Sequence, residues 1–241
     1  MAPISAITLD HVAVAVPSVP DALARWVAEL GGVYLWGGDN GAFQSHDIRY
    51  RNGANLELLQ PTEHGDGNDF VSKFLERRGA GIHHLTFKVG SLGEALERVA
   101  EHDLDAVDID MSRPWWKEAF LRPSQVGRIV IQLAESGEHD HGDGSHWHEP
   151  PAVEAPAWGA ELVGPLLSMD SFDRAEGLYA GLLGGEAERD GERVVYRWPD
   201  SPLVVTLVPD DRAGARCLLV SGWDGQLPSH PHFGPPVLPV C

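Results

Sequence analysis

ITLDHVAVAVPSVPDALARWVAELGG (residues 7–32) and GIHHLTFKVGSLGEALERVAEH (81–102) share one grammar: an alternating strand that runs straight into an amphipathic helix. Shorter strand-like runs follow each helix. They are VYLWG, AFQSHDIRYR and ANLELLQ after the first, and DAVDID, EAFLRP and GRIVIQLAE after the second. The unit reads β-α-β-β-β and occurs twice, joined by a connecting helix in NDFVSKFLERRGAG (68–81). A third copy is legible in ELVGPLLSM, SFDRAEGLYAGLLGG, ERVVYRWPD and LVVTLVPD, where Gly184-Gly185 stands as Gly31-Gly32 stood. The expected class is therefore α+β, with two βαβββ modules paired into a curved mixed sheet and a degenerate third βαββ(β) module.

The boundaries follow from composition. Residues 1–136 read as the paired-module domain, and 137–158 as an acidic linker rich in His, Gly and Pro. Residues 159–241 read as the third module with a Pro-rich tail. In QLPSHPHFGPPVLPVC (226–241) the prolines exclude a central strand or a long helix, so no fourth module is expected to complete the pair.

The 241 residues carry 18 Lys+Arg against 36 Asp+Glu, a net charge of −18 with histidine neutral. So acidic a chain argues against a nucleic-acid partner or an anionic membrane surface. Cys217 and Cys241 are too few for a disulfide scaffold or a structural zinc site, and a reducing cytoplasm is the expected home. The N-terminus has no basic region, and Asp10 and His11 interrupt its apolar run, so it reads as neither a signal peptide nor a membrane span.

Successive strand residues face opposite ways, which sorts the chemistry. In the first strand His11 shares a face with Ala13 and Ala15, small residues that leave room for a ligand, while Val12, Val14 and Val16 form the core face. In the matching strand His84 lies with Thr86 and Lys88, and His83 with Leu85, Phe87 and Val89. In the last strands Glu57 lies with Asn55 and Leu59, and Gln132 with Val130 and Ala134. Glu57 follows His11 by 46 residues and Gln132 follows His84 by 48, as expected if each module gives one ligand from its first strand and one from its last. Two imidazoles, a carboxylate and an amide oxygen suit one divalent ion: Zn²⁺, Ni²⁺, Co²⁺, Mn²⁺ or Fe²⁺. His11, Glu57, His84 and Gln132 are the expected metal ligands. A single such residue could equally be a satisfied core group; it is their matched placement that favours the metal.

LDHVAVAV, NLELLQP, GAGIHHLTFKV and FLRPSQVGRIVIQL, across about residues 5 to 136, resemble the vicinal oxygen chelate (glyoxalase/bleomycin resistance/dioxygenase) superfamily, and within it the methylmalonyl-CoA epimerases. The resemblance maps the family's ligands onto His11, Glu57, His84 and Gln132, the last being a departure from the usual glutamate. It implies a metal-dependent isomerase or lyase that stabilises an enolate of a small carbonyl, carboxylate or thioester substrate, with Glu57 moving the proton. Gln132 cannot take a proton, which speaks against a two-base epimerisation. Alternatives within the resemblance are an extradiol-type Fe(II) dioxygenase and a non-catalytic resistance-type binding protein.

By the same alignment Gly164 stands opposite His11 and Val205 opposite Glu57, so the third module has no half-site and reads as structural support or a dimerisation element. Modules one and two satisfy the repeat whether they pair within one chain or exchange between the chains of a homodimer. Lys88, Arg113, Trp115, Trp116 and Lys117 are the expected substrate-binding residues. They lie on a locally basic stretch suited to a CoA phosphate or a carboxylate. Trp115 and Trp116 are adjacent, so a strand lets only one of them wall the pocket. His139, His141, His146 and His148 sit in a glycine-rich run that reads as solvated linker.

Overall fold

The computed structural model describes residues 2–39, 41–62, 67, 69–137, 153–223 and 232–240. Module one comprises β1 (Thr8–Ala15), α1 (Val19–Leu23) with a π-helical continuation over Ala24–Glu29, β2 (Val33–Asp39), β3 (Phe43–Arg49) and β4 (Asn55–Pro61). After α2 (Phe70–Arg78), module two comprises β5 (Gly81–Lys88), α3 (Leu92–Glu101), β6 (Ala106–Asp110), β7 (Trp116–Leu121) and β8 (Val130–Ser136). Module three comprises β9 (Glu161–Met169), α4 (Phe172–Ala175) with a π-helical continuation over Glu176–Leu182, β10 (Glu186–Asp190), β11 (Arg193–Arg197) and β12 (Val204–Pro209). Strands β13 (Gly214–Ser221) and β14 (Val237–Pro239) close the chain.

The three copies begin each helix in the same way. Ser18, Ser91 and Ser171 are N-caps whose φ, ψ are −148°, 119°; −148°, 120°; and −151°, 118°. Each hydroxyl accepts the backbone N–H three residues on, from Asp21, Glu94 and Arg174. Each cap follows its module's first-strand reference position, His11, His84 or Gly164, by seven residues.

The strands form two mixed sheets. One has eight strands in the order β2-β3-β4-β1-β5-β8-β7-β6, the other six in the order β10-β11-β12-β9-β13-β14. The second reproduces the first six places of the first. The expectation was that no fourth module completes the pair; among the described residues two strands stand where its first and last would. β13 takes the place of β5 and β14 that of β8, and both pairs are parallel. Residues 222–236 connect β13 to β14, where residues 89–129 connect β5 to β8. The prolines permit this because β14 is, among the described residues, a three-residue edge strand, where the N–H that Pro239 lacks disrupts no ladder.

Contacts group the chain into two compact units. In the first (Met1–His11, His84–His141, Gly164–Arg216), Phe87 meets Trp198 at 5.0 Å between ring centres, and the Trp198 indole donates to Leu183 O at 2.6 Å. Ile4 N donates to Leu182 O at 2.9 Å in the same unit. In the second (Val12–His83, Gly142–Val163, Cys217–Cys241), the buried Trp26 indole donates to Phe233 O at 2.7 Å and Arg25 to Pro235 O at 3.3 Å. Gly31 ends the first helix there at φ +74°, where a Cβ would lie 2.5 Å from Trp158 O and Gly159 Cα. Only glycine lets the chain turn under that crossing strand of backbone.

The small residues beside His11 do not leave open space. Ala13 and Ala15 pack with Leu59 and Val71, and Phe43, Phe74 and Leu75 close over them. The expectation of room for a ligand along that whole face is corrected accordingly: α2 fills it beyond His11. The histidine-rich run and residues 138–152 of the linker lie outside the described residues, as does Cys241. Among the described residues no helix is long and apolar enough to cross a membrane.

Candidate metal centre

His11 on β1, Glu57 on β4 and His84 on β5 each bring a ligand atom within 4.8 Å of the others. The two imidazoles are buried, at 7% and 5% exposure, with ring centres 6.0 Å apart and planes inclined at 67°. Glu57 is half-buried, and Asp47 stands directly opposite it in the β3–β4 register. Metal–ligand bonds of about 2.0–2.2 Å would gather these three donors with a small closing of side chains. Two nitrogens and one carboxylate oxygen are a donor set that fits a borderline divalent ion.

Gln132 on β8 is buried beside them and is tied in through Thr86 of β5, a residue the sequence placed on the right face without a role. The Thr86 hydroxyl donates to Gln132 Oε1 at 2.6 Å and lies 2.8 Å from His11 Nε2. Gln132 Nε2 donates outward to Glu118 Oε2 at 2.6 Å, and the Trp116 indole donates to the same oxygen at 2.8 Å. On its other side His11 Nδ1 lies 2.8 Å from Asp10 Oδ2, which fixes the ring. Burial pushes the Asp10 carboxyl up, but the bond from His11 and the charges of His11 and Lys88 outweigh it and hold the group below the usual carboxylate range.

The remaining expected residues fall in different places. Lys88 Nζ pairs with Asp10 Oδ1 at 3.2 Å, behind His11. Trp116 lies on the face of β7 that carries Glu118 and Phe120, and Phe120 is opposite Gln132 in register. Lys117 points to the other face and pairs with Glu135 at 2.5 Å, holding that carboxyl low together with the Leu92 backbone N–H. Arg113 is exposed, and Trp115 precedes β7 and is 43% exposed. His83 faces away from His84, between the rings of Phe70 and Phe74 at 5.1 and 4.9 Å. Burial, aided by the charge of Arg78, pushes its imidazole down to about 4. Asp10, Thr86 and Glu118 were missed by sequence reasoning. Period-two sorting places Thr86 with His84, but the partner of Glu118 depends on the β7–β8 register, which no local pattern encodes.

Residues 10–120 match the profile described as the Glyoxalase/Bleomycin resistance protein/Dioxygenase superfamily. An uncharacterized protein of Bacillus subtilis (strain 168), YqjC, is 26% identical over 138 residues, which are 56% of this chain and 96% of that protein. A methylmalonyl-CoA epimerase from Mycobacterium tuberculosis is similar in structure at a TM-score of 0.50 and 22% identity, covering 57% of this chain and 91% of its own. A substituted 4-hydroxymandelate synthase from Streptomyces coelicolor is similar at a TM-score of 0.62 and 16% identity, covering 93% of this chain and 72% of its own. Both likenesses speak to the fold.

Proposed function

We propose, from the match of residues 10–120 to the Glyoxalase/Bleomycin resistance protein/Dioxygenase superfamily model, that the chain is a divalent-metal-dependent isomerase or lyase acting on a small carbonyl or thioester compound. The observation that carries this reading is the convergence of His11, Glu57 and His84 within 4.8 Å on a sheet with this family's strand pattern. We read residues 1–136 as the part that holds the site, and residues 159–241 as its structural support.

His11, Glu57 and His84 would hold the ion, with Gln132 Oε1 as a neutral fourth donor. When bound, such an ion supplies Lewis acidity toward neighbouring substrate oxygens. The chain's own residues do the rest. Asp10 fixes the His11 ring, and Thr86 and Gln132 set the polarity around it. Glu57, the carboxylate among these four, takes a proton from the carbon next to the substrate carbonyl and returns it. Gln132 offers no second base, so the reading is a single-base transfer. Trp116 and Phe120, on the face of β7 that carries Glu118, give the substrate an apolar wall.

Solvent exchange tests this. Metal-supplemented protein in ²H₂O, given a panel of α-branched carbonyl and thioester compounds, is expected to label one of them at the α-carbon. Glu57→Gln is expected to slow labelling by about 10²–10⁴-fold. Labelling that survives Glu57→Gln contradicts the assignment of the base. The second reading, an Fe(II) oxygenase, is favoured by one observation: two histidines and one carboxylate are also the donor set of non-haem iron oxygenases. Oxygen uptake with an iron-loaded sample, and no α-carbon exchange, would select it.

A further inference from the structure

An amide side chain has two ends of nearly equal shape and opposite polarity, and only its partners decide which end points where. We propose that Glu118 is a positioning residue: its carboxylate fixes the Gln132 amide with oxygen turned inward, and so makes Gln132 usable as an oxygen ligand. This rests on the metal-site reading above and adds a residue that the motif pattern does not contain.

The geometry carries the argument. Glu118 sits on β7 opposite Ala134, two residues from Gln132 along β8, within the diagonal reach of an antiparallel pair. Its Oε2 accepts from Gln132 Nε2 at 2.6 Å and is itself held by the Trp116 indole at 2.8 Å. An ionised carboxylate only accepts, so it admits the NH₂ end of Gln132 and repels the oxygen end. The oxygen is thereby turned toward Thr86 Oγ1 at 2.6 Å, the hydroxyl that also meets His11 Nε2. A turned amide would set its oxygen against the Glu118 carboxylate and aim NH₂ at the histidines, where it could bind no cation. Glu118 therefore acts at one remove, keeping a negative group behind a neutral ligand.

Two measurements test it. In metal-free ¹⁵N-labelled protein, the Gln132 side-chain NH₂ is expected to show contacts to the Trp116 indole proton and none to the Thr86 methyl group. The reverse pattern overturns the proposal whatever the metal result. In a Co²⁺ titration, Glu118→Gln is expected to weaken binding by about 10–100-fold with the thermal unfolding midpoint little changed. Adding Gln132→Glu to Glu118→Gln is expected to restore most of that loss, because a carboxylate has no wrong end; a purely structural role for Glu118 predicts no rescue. Trp116→Phe, which loosens Glu118 without touching Gln132, is expected to weaken binding in the same direction by less. If wild type binds Co²⁺ and Glu118→Gln binds it as tightly, the positioning role is wrong. If wild type binds none, the metal reading fails, and the amide contacts alone decide the role of Glu118.

Discussion

The eight-stranded and six-stranded sheets share a strand order over six places, serine caps that agree within a few degrees and a helix that ends in paired glycines, yet they differ at the positions proposed to carry chemistry. Where β1 and β5 carry His11 and His84, β9 carries Gly164. Where β4 carries Glu57, β12 carries Val205, fully buried. The difference shows that the scaffold can form without these side chains. Cap, helix and β-ladder are common to the modules, and the third module keeps them without an imidazole. At Gly164 the space has closed, since φ is +138° and a Cβ would lie 2.0 Å from Val204 O. A ligand cannot simply be restored there.

The largest effect should follow from breaking that closed position. Gly164→Ala places a methyl against a backbone carbonyl at a φ that side chains avoid, and is expected to cost about 3 kcal/mol or more in chemical denaturation. The matching change in the first sheet, His84→Ala, is expected to abolish metal binding while the metal-free protein unfolds within about 1 kcal/mol of wild type. If His84→Ala unfolds as severely as Gly164→Ala, the separation of scaffold from chemistry is wrong.

The caps sharpen the comparison from the other side. Ser91→Ala and Ser171→Ala should each cost about 1 kcal/mol, nearly equal in the two sheets, because the same hydrogen bond is lost. A large inequality in urea melts would show that the modules are not equivalent scaffolds. Smallest is the effect at Cys217, 2% exposed on β13, where burial raises the thiol to about 11. In a Cys241→Ser background it is expected to resist a thiol-titrating disulfide reagent until the protein unfolds.

Much of this was readable from residues. The seven-residue offset from His11, His84 and Gly164 to a capping serine is a repeat in plain letters. Period-two sorting correctly separated His84 from His83, which now packs between two phenylalanines. Other features depend on partners distant in sequence. Ala13 and Ala15 read as an open floor because nothing in β1 encodes that α2 will cover them. Nothing in the local pattern marks Glu118, which only the β7–β8 register sets beside Gln132. Val237–Pro239 was hidden by Pro239 and by Pro235 and Pro236 just before it, which forbid a central strand but tolerate an edge.

The proposed metal site of His11, Glu57 and His84 is tested most directly by the metal content of tag-free protein, wild type against Glu57→Ala, after exposure to mixed divalent ions and desalting. About one equivalent is expected in wild type and a large loss in Glu57→Ala. Wild-type protein that retains no metal, or a Glu57→Ala variant that retains as much as wild type, would contradict it.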